Sequence, residues 1–202
     1  MIAVAALLLA TTFESRAAAD DSKICAKESG EIAIDACSRA IKSGRYKGRD
    51  LARQFMYRGV EQGLKKDYDL ALADYGEAVR IDKKYSDAFY NRCVVYNLKE
   101  EYDRALADCS QAVKLGPSPN TTVPASERRL ANDHAISDYY SERGFAYLKK
   151  SDYDRALMDL DNAIRLNPDN GRALKSRGLV YQAKGDTARA DADFASAKLF
   201  GE

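Results

Sequence analysis

The side chains with the most reactive chemistry in this chain are four cysteines, Cys25, Cys37, Cys93 and Cys109, and a single histidine, His134. No two cysteines form a Cys-x-x-Cys pair, and His134 is the one histidine beside them. Zinc binding and thioredoxin-like redox chemistry therefore have little support. An even cysteine count suits disulfides instead, and four cysteines allow three pairings. The most local is Cys25–Cys37 with Cys93–Cys109; the alternative is four small buried thiols in a helical core. Carboxylates are abundant but recur with a fixed period, which marks them as structural. His134 has no Ser or Cys motif around it, and no glycine-rich phosphate loop is present. No catalytic residue, metal ligand or cofactor is expected.

The charge pattern narrows the partners. The 202 residues carry 32 Lys and Arg against 31 Asp and Glu, a net charge of +1. So even a balance leaves no electrostatic footprint for nucleic acid. The signs alternate along the chain, as on solvated helix faces, with no basic arm or acidic tail.

The elements that position these residues follow from an internal period. Ala71 and Ala105 lie 34 residues apart, as do Ala156 and Ala190, and Arg58 and Arg92, Arg143 and Arg177 keep the same step. Units are expected over 52–85, 86–119, 137–170 and 171–202. Each reads as two helices. In the third, Tyr140, Arg143, Gly144 and Tyr147 lie on the first helix, and Ala156, Leu160, Ala163 and Ile164 form the apolar stripe of the second. Asn167-Pro168 ends the unit, because the residue before a proline disfavours helix. Gly59, Cys93, Gly144 and Gly178 are small positions that let helices approach, while Tyr75, Cys109, Leu160 and Phe194 fill space. No unit can bury its apolar face alone, so the units must stack.

Phe89-x2-Arg92-Cys93-x2-Tyr96, then Ala105-x3-Cys109 and Pro117, resembles the tetratricopeptide repeat, as does Leu174-x2-Arg177-Gly178-x2-Tyr181 with Ala190-x3-Phe194. The resemblance spans four units from residue 52 onward. Tryptophan is absent, Gln62 stands where Tyr is usual, and Arg replaces the commonest Leu in all four units. The implied fold is all-α, a right-handed α-solenoid of antiparallel helix pairs. Arg58, Arg92, Arg143 and Arg177 are each followed sixteen residues later by Asp74, Asp108, Asp159 and Asp193. In an antiparallel pair that spacing brings the two together, so a structural ion pair is expected in each unit.

The resemblance further implies a concave groove lined by first helices that binds extended or helical peptides. The candidate groove residues are Met56, Tyr57 and Val60; Tyr90, Asn91, Val94 and Asn97; Ser141, Glu142 and Phe145; and Lys175, Leu179 and Gln182. Aromatic rings beside amides suit peptide recognition. Some family members grip a peptide's terminal carboxylate with Lys, Asn and Arg on successive first helices. Asn91 matches one element, but Met56, Val60, Asp138 and Glu142 stand at the others, so that clamp is not expected. Asp138 and Glu142 would suit a basic or amide-rich ligand. The resulting reading is a non-enzymatic protein-interaction module with an unidentified protein or peptide partner. The alternative is a self-assembling scaffold, a homo-oligomer formed through an uncapped last repeat ending at Phe200-Gly201-Glu202.

Three stretches depart from the period. Residues 2–13 are apolar, too short to span a bilayer, and precede Ala17-Ala18-Ala19. They resemble an export signal over 1–19, although no Lys or Arg precedes them. Export would make the chain periplasmic or secreted, with no membrane span after cleavage; a cytoplasmic chain is the alternative. Within 20–50, Ala33-x3-Cys37-x2-Ala40-Ile41 copies the second-helix pattern as a partial repeat, followed by a loop over 43–48. Residues 120–136 interrupt the array. They begin as a loop and turn helical near Ser126, a candidate N-cap for an extended helix over 126–149.

Overall fold

The computed structural model describes residues 21–118, 124 and 126–202. The stretch read as an export signal, residues 1–19, lies outside them, as do 119–123 and 125 near the interruption. The described residues are helical and contain no strand. Helix α1 covers residues 21–27, followed by α2 (Gly30–Lys42), α3 (Gly48–Leu64), α4 (Tyr68–Ile81) and α5 (Ser86–Leu98). Then come α6 (Tyr102–Leu115), α7 (Arg128–Lys149), α8 (Tyr153–Leu166), α9 (Gly171–Ala183) and α10 (Thr187–Leu199). The chain divides into two compact bodies, Met1–Ala88 and Phe89–Glu202, with the division inside α5.

In the N-terminal body, α2 packs on α3 and α3 on α4. Helix α2 buries Ala33, Ala36, Cys37 and Ala40, the second-helix stripe of the partial repeat. Cys25 in α1 and Cys37 stand with Cα atoms 4.8 Å and sulfurs 2.07 Å apart. Arg49 pairs with Asp82 and stacks over the Tyr85 ring at 4.9 Å, tying the start of α3 to the segment after α4.

In the C-terminal body, α7 packs on α8 and α9 on α10, while α6 contacts α7 and α8 contacts α9. Helix α7 runs on past its repeat toward the interruption. It starts at Arg128 with Glu127 in the N-cap position and no side-chain cap bond, one residue later than Ser126 as N-cap would have placed it. The later caps follow the sequence: Asp152, Asn170 and Asp186 accept from the backbone N–H three residues on.

Two adjacent contacts pin each helix pair. The first is the charged fork. Arg58 Nε and Nη2 donate to the two Asp74 carboxylate oxygens, each at 2.7 Å. The same bidentate geometry joins Arg92 to Asp108, Arg143 to Asp159 and Arg177 to Asp193, at 2.6–2.8 Å. The aromatic ring three residues earlier backs the guanidinium in three pairs: Phe55, Phe89 and Tyr140 lie 5.5–5.7 Å from it. The second contact lies one residue on. A Cβ added at Gly59 would meet Tyr75 Cε1 at 2.8 Å, at Gly144 Leu160 Cγ at 2.8 Å, and at Gly178 Phe194 Cε1 at 2.6 Å. Only glycine fits against such filled space. At the equivalent place α5 and α6 carry Cys93 and Cys109, whose Cα atoms are 5.5 Å and sulfurs 1.99 Å apart.

The turn joining each pair is closed the same way. Lys66, Glu100, Ser151 and Gly185 adopt positive φ. The next N–H reaches back to Gln62, Tyr96, Tyr147 and Tyr181 carbonyls at 2.8–2.9 Å. This satisfies carbonyls at the helix end that would otherwise lack a partner.

The Asp159 side chain is 1% exposed and Arg143 17%. Removing one partner of a buried pair strands the other charge, which typically costs about 3 kcal/mol. Asp159→Ala is therefore expected to destabilise the protein by about that amount, and Arg143→Leu added to it should restore part of the loss. Urea denaturation of the two variants checks this; a double variant less stable than the single would refute the role assigned to the stranded charge.

Candidate functional site

The first helices of the C-terminal body enclose a pocket of about 260 Å³. Helix α5 contributes Val94, Asn97 and Leu98, and α7 contributes Ser141, Glu142 and Phe145. Helix α9 contributes Arg172, Lys175, Ser176 and Leu179, and Glu202 beyond α10 closes one edge. The repeat explains the apolar part. Val94, Phe145 and Leu179 each follow the fork arginine by two residues, so identical helix geometry aims them at the same side.

The polar part is held by cross-helix contacts. Asn97 Nδ2 donates to Glu142 Oε2 at 2.9 Å and to the Glu142 carbonyl at 3.1 Å. Arg172 ion-pairs with Glu142, and its positive charge lies close enough to the Tyr90 phenol to act on it. The carboxylate is 6% exposed while Arg172 is 51% exposed, so the charge that faces outward is the cation. Lys175, 53% exposed, lies 3.5 Å from the Glu202 carboxylate. Asn97 Oδ1 is buried without a hydrogen-bond partner. Burial pushes the Tyr90 phenol above its ordinary range. It also raises the Asp138 carboxyl, against the opposing pull of Arg172, His134 and the Asn170 amide.

The pocket brings together seven of the residues read from the sequence: Val94, Asn97, Ser141, Glu142, Phe145, Lys175 and Leu179. Asn91 and Gln182 do not line it, and Tyr90 supports it from behind, with its ring centroid 5.0 Å from that of Tyr139. In the N-terminal body Met56 is buried, 8% exposed, and Val60 is half-buried. Tyr57 packs against Cys25, Ala36 and Cys37. Met56 and Tyr57 are thus taken up by packing, because α3 is covered by neighbours on both sides. The expectation that Glu142 offers an open carboxylate to a basic ligand is corrected: Arg172 and Asn97 already satisfy it. Leu98, Arg172, Ser176 and Glu202 were missed. Leu98 follows Val94 by one turn and Arg172 precedes Lys175 by one, a signal that helical spacing carries; Glu202 has none.

Among the described residues, no three His, Cys, Asp or Glu side chains gather in a way that could hold a metal ion. No described helix is long and apolar enough to cross a membrane.

Residues 65–118 and 137–170 match family models described as tetratricopeptide repeat. No curated protein sequence matches the chain. Among solved structures, a crystal structure of MamA protein is 19% identical, with TM-score 0.68, covering 92% of each chain. MamA from Desulfovibrio magneticus RS-1 is 14% identical, with TM-score 0.67, covering 93% of this chain and 94% of that one. The first tetratricopeptide-repeat domain of Spaghetti (RPAP3), solved with an HSP90 peptide SRMEEVD, is 22% identical with TM-score 0.57. It covers 70% of this chain and 99% of that one. At these identities the likeness shows the fold, an all-α solenoid.

The raised Asp138 carboxyl has a consequence for stability. Folding holds its proton to higher pH than the unfolded chain does, so the folded state binds more protons just above the ordinary Asp range, about 3.9. Stability then falls as pH rises through that window. Asp138→Asn is expected to raise the melting temperature at pH 7 and to lose that advantage below about pH 3.9. Thermal melts of both proteins at the two pH values check this; an equal advantage at both would refute it.

Proposed function

The chain belongs to the tetratricopeptide-repeat family, and on that premise we propose that it is a non-enzymatic adaptor. It holds a peptide or extended protein segment in the pocket of its C-terminal body. The observation that carries this reading is the convergence of three consecutive first helices on one mainly apolar pocket whose one buried carboxylate, Glu142, is paired at its side. A pocket of about 260 Å³ admits one large side chain of a partner, with the rim cations Arg172 and Lys175 left for its neighbours. The RPAP3 domain solved with a peptide supports the same use of the fold.

We further propose that the protein is exported and that both cysteine pairs are oxidised. The support is the apolar stretch at 2–13 together with the approach of each cysteine pair to bonding distance. A closed loop of about 15 residues is worth about 3 kcal/mol in the chain-entropy account. The Cys93–Cys109 pair, sixteen residues apart, is of that size. A second reading, self-association, draws on the exposed apolar side chains of Leu199 and Phe200 at the end of α10.

Two measurements test these proposals. A photo-crosslinking amino acid placed at Leu179 is expected to capture partner protein from a cell-envelope extract, whereas the same group at Met158, exposed on α8 outside the pocket, should not. Equal capture at both positions, or dimers of this chain as the sole adduct, would remove the pocket reading, and the dimers would favour self-association. Thiol alkylation with mass spectrometry of periplasmically expressed protein is expected to label no cysteine until reductant is added. Four labelled thiols before reduction would refute the bridges.

A further inference from the structure

The pocket's charges are distributed unequally between its interior and its rim. Glu142 lies inside, covered by Arg172 and hydrogen-bonded by Asn97. Arg172 and Lys175 lie outside, each about half exposed. Lys175 faces Glu202, held loosely at 3.5 Å. The backbone ahead of Glu202 folds back so that its N–H donates to the Ala197 carbonyl at 3.3 Å. Gly171, the first residue of α9, leaves the room for this return: a Cβ there would meet Glu202 Cγ at 3.0 Å and Phe200 Cβ at 3.2 Å. An acidic side chain of this protein therefore already sits on the rim lysine, beside an apolar pocket.

Resting on the pocket reading above, the geometry points to an acidic peptide segment as the partner. One apolar side chain enters between Val94, Leu98, Phe145 and Leu179. A neighbouring Asp or Glu takes the place of Glu202 on Lys175 and meets the outer edge of Arg172. Glu202 acts as an internal competitor that the partner displaces. Charge complementarity selects this occupant: a basic segment would face two exposed cations, and the buried Glu142 offers it nothing. This arrangement uses a side-chain carboxylate on α9 and makes no use of Asn91.

Three fluorescein-labelled twelve-residue peptides test it, each with the same central Phe and Leu, flanked by Glu, by Lys or by Gln. Fluorescence anisotropy with the full chain is expected to give at least tenfold tighter binding of the Glu peptide than of the Lys peptide. Lys175→Glu should abolish or reverse that order, and Glu202→Gln should tighten the Glu peptide severalfold. Both side chains are exposed enough for the fold to tolerate these changes, and a thermal melt of each variant verifies it. Peptides that bind equally, or a preference for the Lys peptide, would overturn the acidic partner and leave the pocket reading intact. Binding of none would overturn both. A preference unmoved by Lys175→Glu would overturn the role of the α9 rim.

Discussion

Two neighbouring contacts, each spanning sixteen residues, set the geometry on which everything else rests. Beside the Arg–Asp fork lies a small residue against a large one, and the two together fix where the first helix crosses the second. The fork resists sliding, because a bidentate pair has one favourable register. The glycine contact fixes the depth of approach, because a filled interior has no slack. Burying the carboxylate also makes the register obligatory: a slipped helix would leave Asp159 or its counterparts without a partner in an apolar layer.

The α5–α6 pair departs from this scheme in an informative way. Cys93 and Cys109 occupy the places held elsewhere by Gly59 and Tyr75, Gly144 and Leu160, and Gly178 and Phe194. Both cysteines are fully buried against Ala105 and Ala146. A pair of small side chains cannot fill the volume of a ring or a leucine, so the fork alone would hold that crossing less firmly. The close approach of the two sulfurs, 1.99 Å apart, marks the crossing there as packing marks it in the other pairs. It also lies one turn before Asn97, which reaches across to Glu142, so the crossing of α5 on α6 bears on one wall of the pocket.

What repeats was legible in the sequence, and what does not repeat was not. The fork, the small positions and the apolar groove positions Val60, Val94, Phe145 and Leu179 all recur in phase, because each serves a contact that every unit must make. The left-handed residue of each turn also recurs in phase, yet only Gly185 among Lys66, Glu100, Ser151 and Gly185 carries the composition that marks such a turn. The backbone bonds that close the turn outweigh the modest strain at the other three. Met56 and Tyr57 read as groove-lining because helical spacing cannot say how many neighbours cover a helix.

The pocket's charge state was the least legible feature, and the reason is physical. Arg53, Asp87, Asp138 and Arg172 share one position of the repeat, and Tyr57, Asn91, Glu142 and Ser176 share another. Types at these positions change from unit to unit because they answer to the neighbouring unit, not to their own. Glu142 on α7 is neutralised by Arg172 from α9 and by Asn97 from α5, so three helices share one buried charge. Such a charge cannot lose either neighbour cheaply. It therefore holds the pocket walls in fixed relation and leaves the outward face to the cations. The same interaction that hides an acid inside the pocket thus braces the apolar cleft from three helices at once.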